Sequence, residues 1–368
     1  MRKMLFTVAA LLIAAGVYLA YLGWAAGEFR SVRNLYPGAC RMVPGVAGPE
    51  DITIHPSGRF AYISSQDRRA GMAGAESVGA IYRYRLDPGG NGSGPTRADL
   101  AFDGGPDFRP HGISLFVDAD GGESLFVVNH PGQSLFGPGP GADGPAHTIE
   151  IFERVGESLV QRKTLADDSM VSPNDIVAID HQRFYFTNDH GSAPGLMRQL
   201  EDYLRLPWAS VVYFDGREFH EVAGGLSYAN GINVSPDGSS LYVAEVTRSR
   251  IAEYARDADT GTLEALRRFD VGFGVDNIEI DPASGDLWLG GHVKLLTFTQ
   301  HAKNADVPAP SQVARVALAH EPVVETVFVD DGHLISGASV ATQRNGRLLV
   351  GSVFEPHFVI CEPLSGLH

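Results

Sequence analysis

The stretch NGINVSPDGSSLYVAE, Asn230 to Glu245, contains a polar residue, a short apolar alternation, a Pro-Asp-Gly turn and a second apolar run. Alternation with a period of two on both sides of a Gly-containing turn is a β-hairpin signal. The same unit returns along the chain. Glu50 and Asp51 lead into ITIHPSGRFAYIS, His111 into GISLFVDADGGESLFVV, Asn174 and Asp175 into IVAIDHQRFYFTN, and Asp276 and Asn277 into IEIDPASGDLWLGG. Ser339 leads more weakly into VATQRNGRLLVGS. About six hairpins, roughly 50 to 60 residues apart, indicate an all-β, six-bladed β-propeller rather than a solenoid of short repeats. A propeller aims the start of every innermost strand at one axis, and the residues at those starts are Glu, Asp, Asn and His.

Working outward, the repeats consume the chain from residue 28 to residue 368 as one domain without a low-complexity linker. The 43 glycines and 22 prolines fit the many tight turns such a fold needs, because strong apolar strands lie between them. Residues 1–27 differ in kind. Arg2 and Lys3 precede an uncharged stretch from Met4 to Gly27, long enough as a helix to cross about 30 Å of hydrocarbon. A retained signal-anchor is the preferred reading, since a cleaved signal peptide has an apolar core of only about 7 to 15 residues. The small residues Ala25 and Ala26 also allow cleavage, which would release a secreted protein. Arg2 and Lys3 stay cytoplasmic by the positive-inside rule, so the propeller is exported to the periplasmic or extracellular face.

The two cysteines agree with export. Cys40 precedes the first blade and Cys361 ends the last, so a closed ring makes them neighbours and a bridge would fasten it. The net charge of −15 and the absence of any Lys/Arg cluster argue against nucleic acid as a partner. No Gly-x-Ser-x-Gly elbow, His-Glu-x-x-His pair or phosphate-binding glycine loop is present, which disfavours serine-hydrolase and zincin chemistry. Two cysteines near opposite ends do not make a Cys-ligated metal site.

What remains is the axial set. Glu50, Asn174, Asn230, Asp276 and Asn277 bring carboxylate and amide oxygens from four blades, a hard-ligand ring that suits Ca²⁺. Asp51 and Asp175 follow two of these, so a second cation deeper in the channel is possible if adjacent residues both face the axis. Each Asn or Asp taken singly also reads as a turn former bonding its own backbone. His111, opening one strand, and His130, closing the next, can lie side by side at one end of a hairpin and serve as a general base and its relay. His190 in TNDHG is a further channel candidate. Leu196 to Trp208, LMRQLEDYLRLPW, has apolar residues at helical spacing and reads as a lid helix facing substrate or membrane, or as ordinary packing against the propeller.

Nine collinear motifs between Cys40 and Cys361 resemble those of the serum paraoxonase/arylesterase family: GPEDITI, RPHGIS, LFVVNHPG, NDIVAI, FTNDH, WASVVYF, YANGINVSPDG, VDNIEIDPASGDLWLGGH and GSVF. The resemblance implies a calcium-dependent hydrolase with two Ca²⁺ in the tunnel. Its substrates would be lactones, with aryl esters and organophosphate triesters as side activities. It implies a catalytic Ca²⁺ held by Glu50, Asn174, Asn230, Asp276 and Asn277. It implies a structural Ca²⁺ held by Asp51, Asp175 and the Ile113 carbonyl, a His111–His130 dyad, and a Cys40–Cys361 disulfide. The general base stays open among His111, Asp276 and Glu50. N-acyl homoserine lactones are the expected natural substrate, because an apolar lid near a membrane accepts an acyl chain.

The stretch Gln66 to Ala80 departs from the family's first active-site loop, Pro131 to His147 reads as a Gly/Pro-rich insertion, and Gly291 replaces the family's unpaired cysteine. Two alternatives are a gluconolactonase-like sugar lactonase and a non-catalytic propeller that binds a partner on its face. His111 and His130 favour the first reading over both.

Overall fold

The computed structural model describes residues 2–75, 77–86, 94–97, 99–101, 108–131, 133–134, 137–138 and 146–362. Most of the expected insertion between Pro131 and His147 therefore lies outside the described residues. Among those described, six sheets of four or five strands stand in sequence order around a ring, each built mainly of antiparallel neighbours. Their inner strands are Pro49–Ile54, Pro110–Val117, Pro173–Ala178, Ala229–Val234, Gly274–Ile280 and Ala338–Arg344. Each touches the next, and the sixth touches the first. This is the six-bladed propeller expected from the repeats.

The ring closes within one blade. The sixth blade takes three strands from the C-terminal part of the chain and its outermost strand, Ala39–Pro44, from the N-terminal part. Cys40 lies directly opposite Cys361 in that pairing, and the two form a disulfide.

Apolar residues at alternate strand positions pack between blades rather than at the axis. Ile232, Leu241 and Val243 of the fourth blade meet Tyr185, Val211 and Tyr213 of the third. Ile52 and Ile63 of the first meet Val340, Leu349 and Phe358 of the sixth. Each such buried side chain contributes about 1.5–3 kcal/mol relative to exposure. The hydrophobic effect thus builds the walls and leaves the axis to polar side chains.

The inner strands share one irregularity that decides the axis. In every blade two residues of the inner strand oppose one on its neighbour, a β-bulge. The bulged pairs are Glu50–Asp51, His111–Gly112, Asn174–Asp175, Asn230–Gly231, Asp276–Asn277 and Ser339–Val340. A regular strand would send neighbours to opposite faces. The bulge lets consecutive polar residues share the axis. Close approach of the blades also demands small residues here. A Cβ on Gly112 would sit 2.5 Å from Asp175 Oδ1 and 2.6 Å from Asp175 Cα, and one on Gly231 would sit 2.6 Å from the Asp276 carbonyl oxygen.

Helices decorate one end. α1 (Arg2–Ala25) is apolar, unburied over most of its length and, over Lys3–Ala25, long enough to cross a membrane. α2 (Arg68–Met72) lies in the loop after the first hairpin, α3 (Leu196–Leu204) follows the third, and α4 (Leu295–Lys303) follows the fifth. The Glu28 carboxylate accepts the Leu296 and Thr297 amides at 2.8 and 3.1 Å and the Thr297 hydroxyl at 2.7 Å, fastening the exit of α1 to the N-terminus of α4. Tyr18 Oη donates to the Tyr203 carbonyl at 2.7 Å, so α1 also touches α3.

The polarity of α3 is inverted. Leu196, Met197, Leu200, Tyr203 and Leu204 are exposed on it, whereas Glu201 is buried. Glu201 accepts the Gly191 amide at 2.9 Å and the Ser192 hydroxyl at 2.6 Å, and Asp202 pairs with His190. The helix therefore docks on its polar side and turns its apolar side outward, which sets aside packing of the apolar face against the propeller.

Candidate functional site

Four of the bulges converge on the upper tunnel. Asn277 Nδ2 donates to Glu50 Oε1 at 2.9 Å, Asn230 Nδ2 donates to Asp276 Oδ1, and Asn174 Nδ2 donates to Asp189 Oδ2 at 3.1 Å. With each amide nitrogen so engaged, the opposite oxygens are left over. Glu50 Oε2, Asn174 Oδ1, Asn230 Oδ1 and Asn277 Oδ1 are buried and have no hydrogen-bond partner. An unmade hydrogen bond in a buried site costs about 1–3 kcal/mol, so four orphans in one tunnel call for an electropositive occupant. Oxygens of carboxylate and amide type fit a hard cation such as Ca²⁺. Among the described residues no three His, Cys, Asp or Glu side chains form a ready-made metal cluster, and three of these four oxygens are amide.

Burial drives the Glu50 carboxyl up to about 8, with Arg68 opposing and Asp51 and Asp276 adding to the rise. Arg68, itself buried, donates to the carbonyls of Gly48, Val353 and Pro110 at 3.3 to 3.4 Å and so ties the α2 loop across the ring seam.

Deeper in the tunnel, Asp51 and Asp175 use their carboxylates between blades. Asp51 accepts the Ile52 and Ile113 amides at 2.8 and 2.7 Å, and Asp175 accepts the Ile176 and Ile232 amides at 2.8 Å each. Asp51 thus meets the Ile113 N–H. Burial raises Asp51 to about 7, and burial together with the Asp51 charge raises Asp175 well above the carboxylate range. Glu279 is raised too, by burial and by Asp51. The Asp51 charge thus bears on two further acids, and of these Glu279 carried no mark in the sequence.

At the mouth, the second blade sets imidazoles edge to face. His111 Nδ1 lies 3.0 Å from His130 Nε2, and His111 Nε2 lies 3.5 Å from Glu50 Oε1. The sequence reading missed the next member: His130 Nδ1 lies 2.8 Å from Nδ1 of His147. His147 stands at the end of the stretch read as an insertion, and nothing but its identity marked it. Burial and Arg68 push His111 down to about 3, and burial holds His130 well below its ordinary value.

Two further histidines take other places. His292, which received no role from its motif, lies with Nε2 3.0 Å from Asp276 Oδ2 and stacks on Phe298 at 3.7 Å. His190 is not on the axis. It bridges Asp189 and Asp202 at 2.7 and 2.8 Å beneath α3, and although burial opposes it, the two carboxylates raise it to about 10.

The molecule is therefore a six-bladed propeller with an axial oxygen site and an imidazole chain at its mouth. A model of the arylesterase family matches residues 31–362, and the chain belongs to that family. It is 37% identical over 337 residues to serum paraoxonase/arylesterase 1 of Homo sapiens, covering 88% of this chain and 89% of that one. It is 36% identical over 338 residues to serum paraoxonase/lactonase 3 of Homo sapiens, with the same coverage. A solved putative gluconolactonase superposes with a TM-score of 0.52 at 15% identity, covering 90% of this chain and 97% of that one, and shares the fold.

Proposed function

We propose that this protein is a Ca²⁺-dependent esterase that hydrolyses lactones, with arylesterase and phosphotriesterase side activities. The observation that carries the reading is the set of four unpartnered buried oxygens beside the His111–His130 pair. Glu50, Asn174, Asn230, Asp276 and Asn277 would hold the catalytic cation, and Asp51, Asp175 and the Ile113 carbonyl a structural one. A bound Ca²⁺ supplies Lewis-acid polarisation of an ester carbonyl.

The chain's own residues perform the proton work. His111, neutral because burial and Arg68 depress it, takes a proton from water at Nε2. His130 orients that ring through the 3.0 Å contact. The water oxygen bonds to the acyl carbon, the ring C–O bond breaks, and the proton goes to the leaving alkoxide, giving a hydroxy acid. Asp276 and Glu50 lie in the same tunnel and are the alternative bases.

Residues 1–27 would act as the membrane anchor, with 28–368 as the exported catalytic domain. The outward apolar face of α3, a helix that α1 meets through Tyr18 and the Tyr203 carbonyl, supports a second membrane contact through Leu196–Trp208 and a substrate with an acyl chain, such as an N-acyl homoserine lactone.

Initial rates on γ- and δ-lactones of graded chain length, a phenyl ester and a phosphotriester test this with Ca²⁺, after chelation and after Ca²⁺ is restored. Lactone turnover that vanishes with chelator and returns with Ca²⁺ is expected. Absence of turnover by folded, Ca²⁺-loaded protein would refute the hydrolase reading.

A further inference from the structure

His147 is placed by sheet register. The strand Glu123–Asn129 pairs antiparallel with Thr148–Val155, and Asn129 stands opposite Thr148. His130 and His147 are the next residues outward on those two strands, so their rings meet where the pairing ends. Asn129 in turn stands opposite Pro110 on the inner strand, with His111 in the adjoining bulge. Three neighbouring strands of one blade therefore deliver three imidazoles in a row, with ring centroids 5.1 and 4.9 Å apart and both pairs edge to face.

A row of neutral imidazoles is directional, because each ring carries one N–H and one lone pair. A hydrogen bond to the Val171 backbone favours a proton on the His147 ring. Nδ1 of His147, facing His130, is then the lone pair. His130 must donate from Nδ1, which makes its Nε2 an acceptor. His111 must then donate from Nδ1 to that atom, and its Nε2 is left bare, 3.5 Å from Glu50 at the axis. Without the third ring, His130 is free to take either tautomer, and half of the choices put the His111 proton on the wrong nitrogen.

We propose that His147 is a positioning residue: it accepts the Nδ1 proton of His130, sets one tautomer along the three-ring chain, and so keeps Nε2 of His111 unprotonated toward the tunnel. The inference rests on the hydrolase reading above and deepens it. The charges facing the row are Arg68 and Arg198, which disfavour an imidazolium, and Asp189, which favours one. Burial is the largest influence on all three rings and disfavours the charged form of each.

The test uses the full chain in detergent with Ca²⁺ and a γ-lactone. It compares wild type with His147→Ala, His147→Gln, His130→Gln and the double variant His147→Ala/His130→Gln. His147→Ala should lower kcat by about tenfold or more with KM unchanged. Gln offers a carbonyl oxygen to the same proton and should recover much of the loss. In the His130→Gln background the Ala substitution should add little, since the relay is already cut. Independently of activity, ¹⁵N imidazole spectra should show His130 as the single Nδ1–H tautomer in wild type and a mixture in His147→Ala. Losses that add fully in the double variant, or unchanged kcat with an unchanged tautomer, would overturn the proposal. A His130→Gln protein as active as wild type would overturn the proposal by removing the His111–His130 pair on which it stands, and absence of turnover by folded, Ca²⁺-loaded wild type would instead remove the hydrolase reading.

Discussion

Asn277 of the fifth blade donates its amide hydrogen to Glu50 Oε1 of the first at 2.9 Å, and the two oxygens left over, Asn277 Oδ1 and Glu50 Oε2, meet no partner. The blades are not adjacent. The sixth lies between them, where Ser339 Oγ donates to the Glu50 carbonyl at 2.5 Å. One amide thus spans the tunnel and aims two buried acceptors into it.

Removing that amide should weaken cation binding while the blades persist, because the interblade cores do not involve it. Asn277→Ala is expected to lower Ca²⁺ affinity by about tenfold or more, read by calorimetric titration of chelator-stripped protein. Wild type should gain about 2.7 kcal/mol of stability at 100 times its Kd. A stripped wild-type protein that takes up no Ca²⁺ would remove the metal from this account.

Gly112 stands where the second blade touches the third, and an added Cβ would meet Asp175 backbone at 2.6 Å. Gly112→Ala should destabilise the protein by about 1–3 kcal/mol, the usual cost of overpacking a tight contact, measured by guanidinium unfolding. A stability equal to wild type would mean that the ring relaxes at this seam.

The Cys40–Cys361 bridge spans a sequence separation of 321 residues and holds the strand that closes the ring. Replacing both cysteines with serine should cost about 2–5 kcal/mol, visible as a lowered unfolding midpoint that reductant reproduces in wild type. Equal midpoints with and without reductant would show that strand pairing alone closes the ring.

His190 ties α3 to the propeller as an imidazolium between Asp189 and Asp202. Its folded-state pKa is raised from 6.5 to about 10, so its stabilisation is complete below about pH 6.5 and is lost as pH rises toward 10. The Tm difference between wild type and His190→Gln should therefore shrink steadily from pH 6.5 to 10. A difference that grows with pH would show that His190 is neutral in the folded protein.

Much of this protein was legible in its sequence. The hairpins announce themselves because strand periodicity and turn chemistry are local, and Asn230–Glu245 or Asp276–Gly291 can be read without their neighbours. The recurrence of polar residues at strand starts pointed to the axis, and two cysteines at the ends of the repeats pointed to the closure. The inverted face of α3 could not be read, because helical spacing reveals an apolar stripe and not the side on which it docks. The paired orientation of Glu50 with Asp51, and of Asp276 with Asn277, needed the six bulges, which exist only when a second strand is in register. His147 and His292 entered the site through contacts across strands and blades. The sequence by itself determined the blades and the chemistry available at their inner ends. Only the tertiary structure decided which oxygens are left without partners and which imidazoles touch, since hydrogen bonds at the axis depend on angstrom-scale approach between residues far apart in the chain.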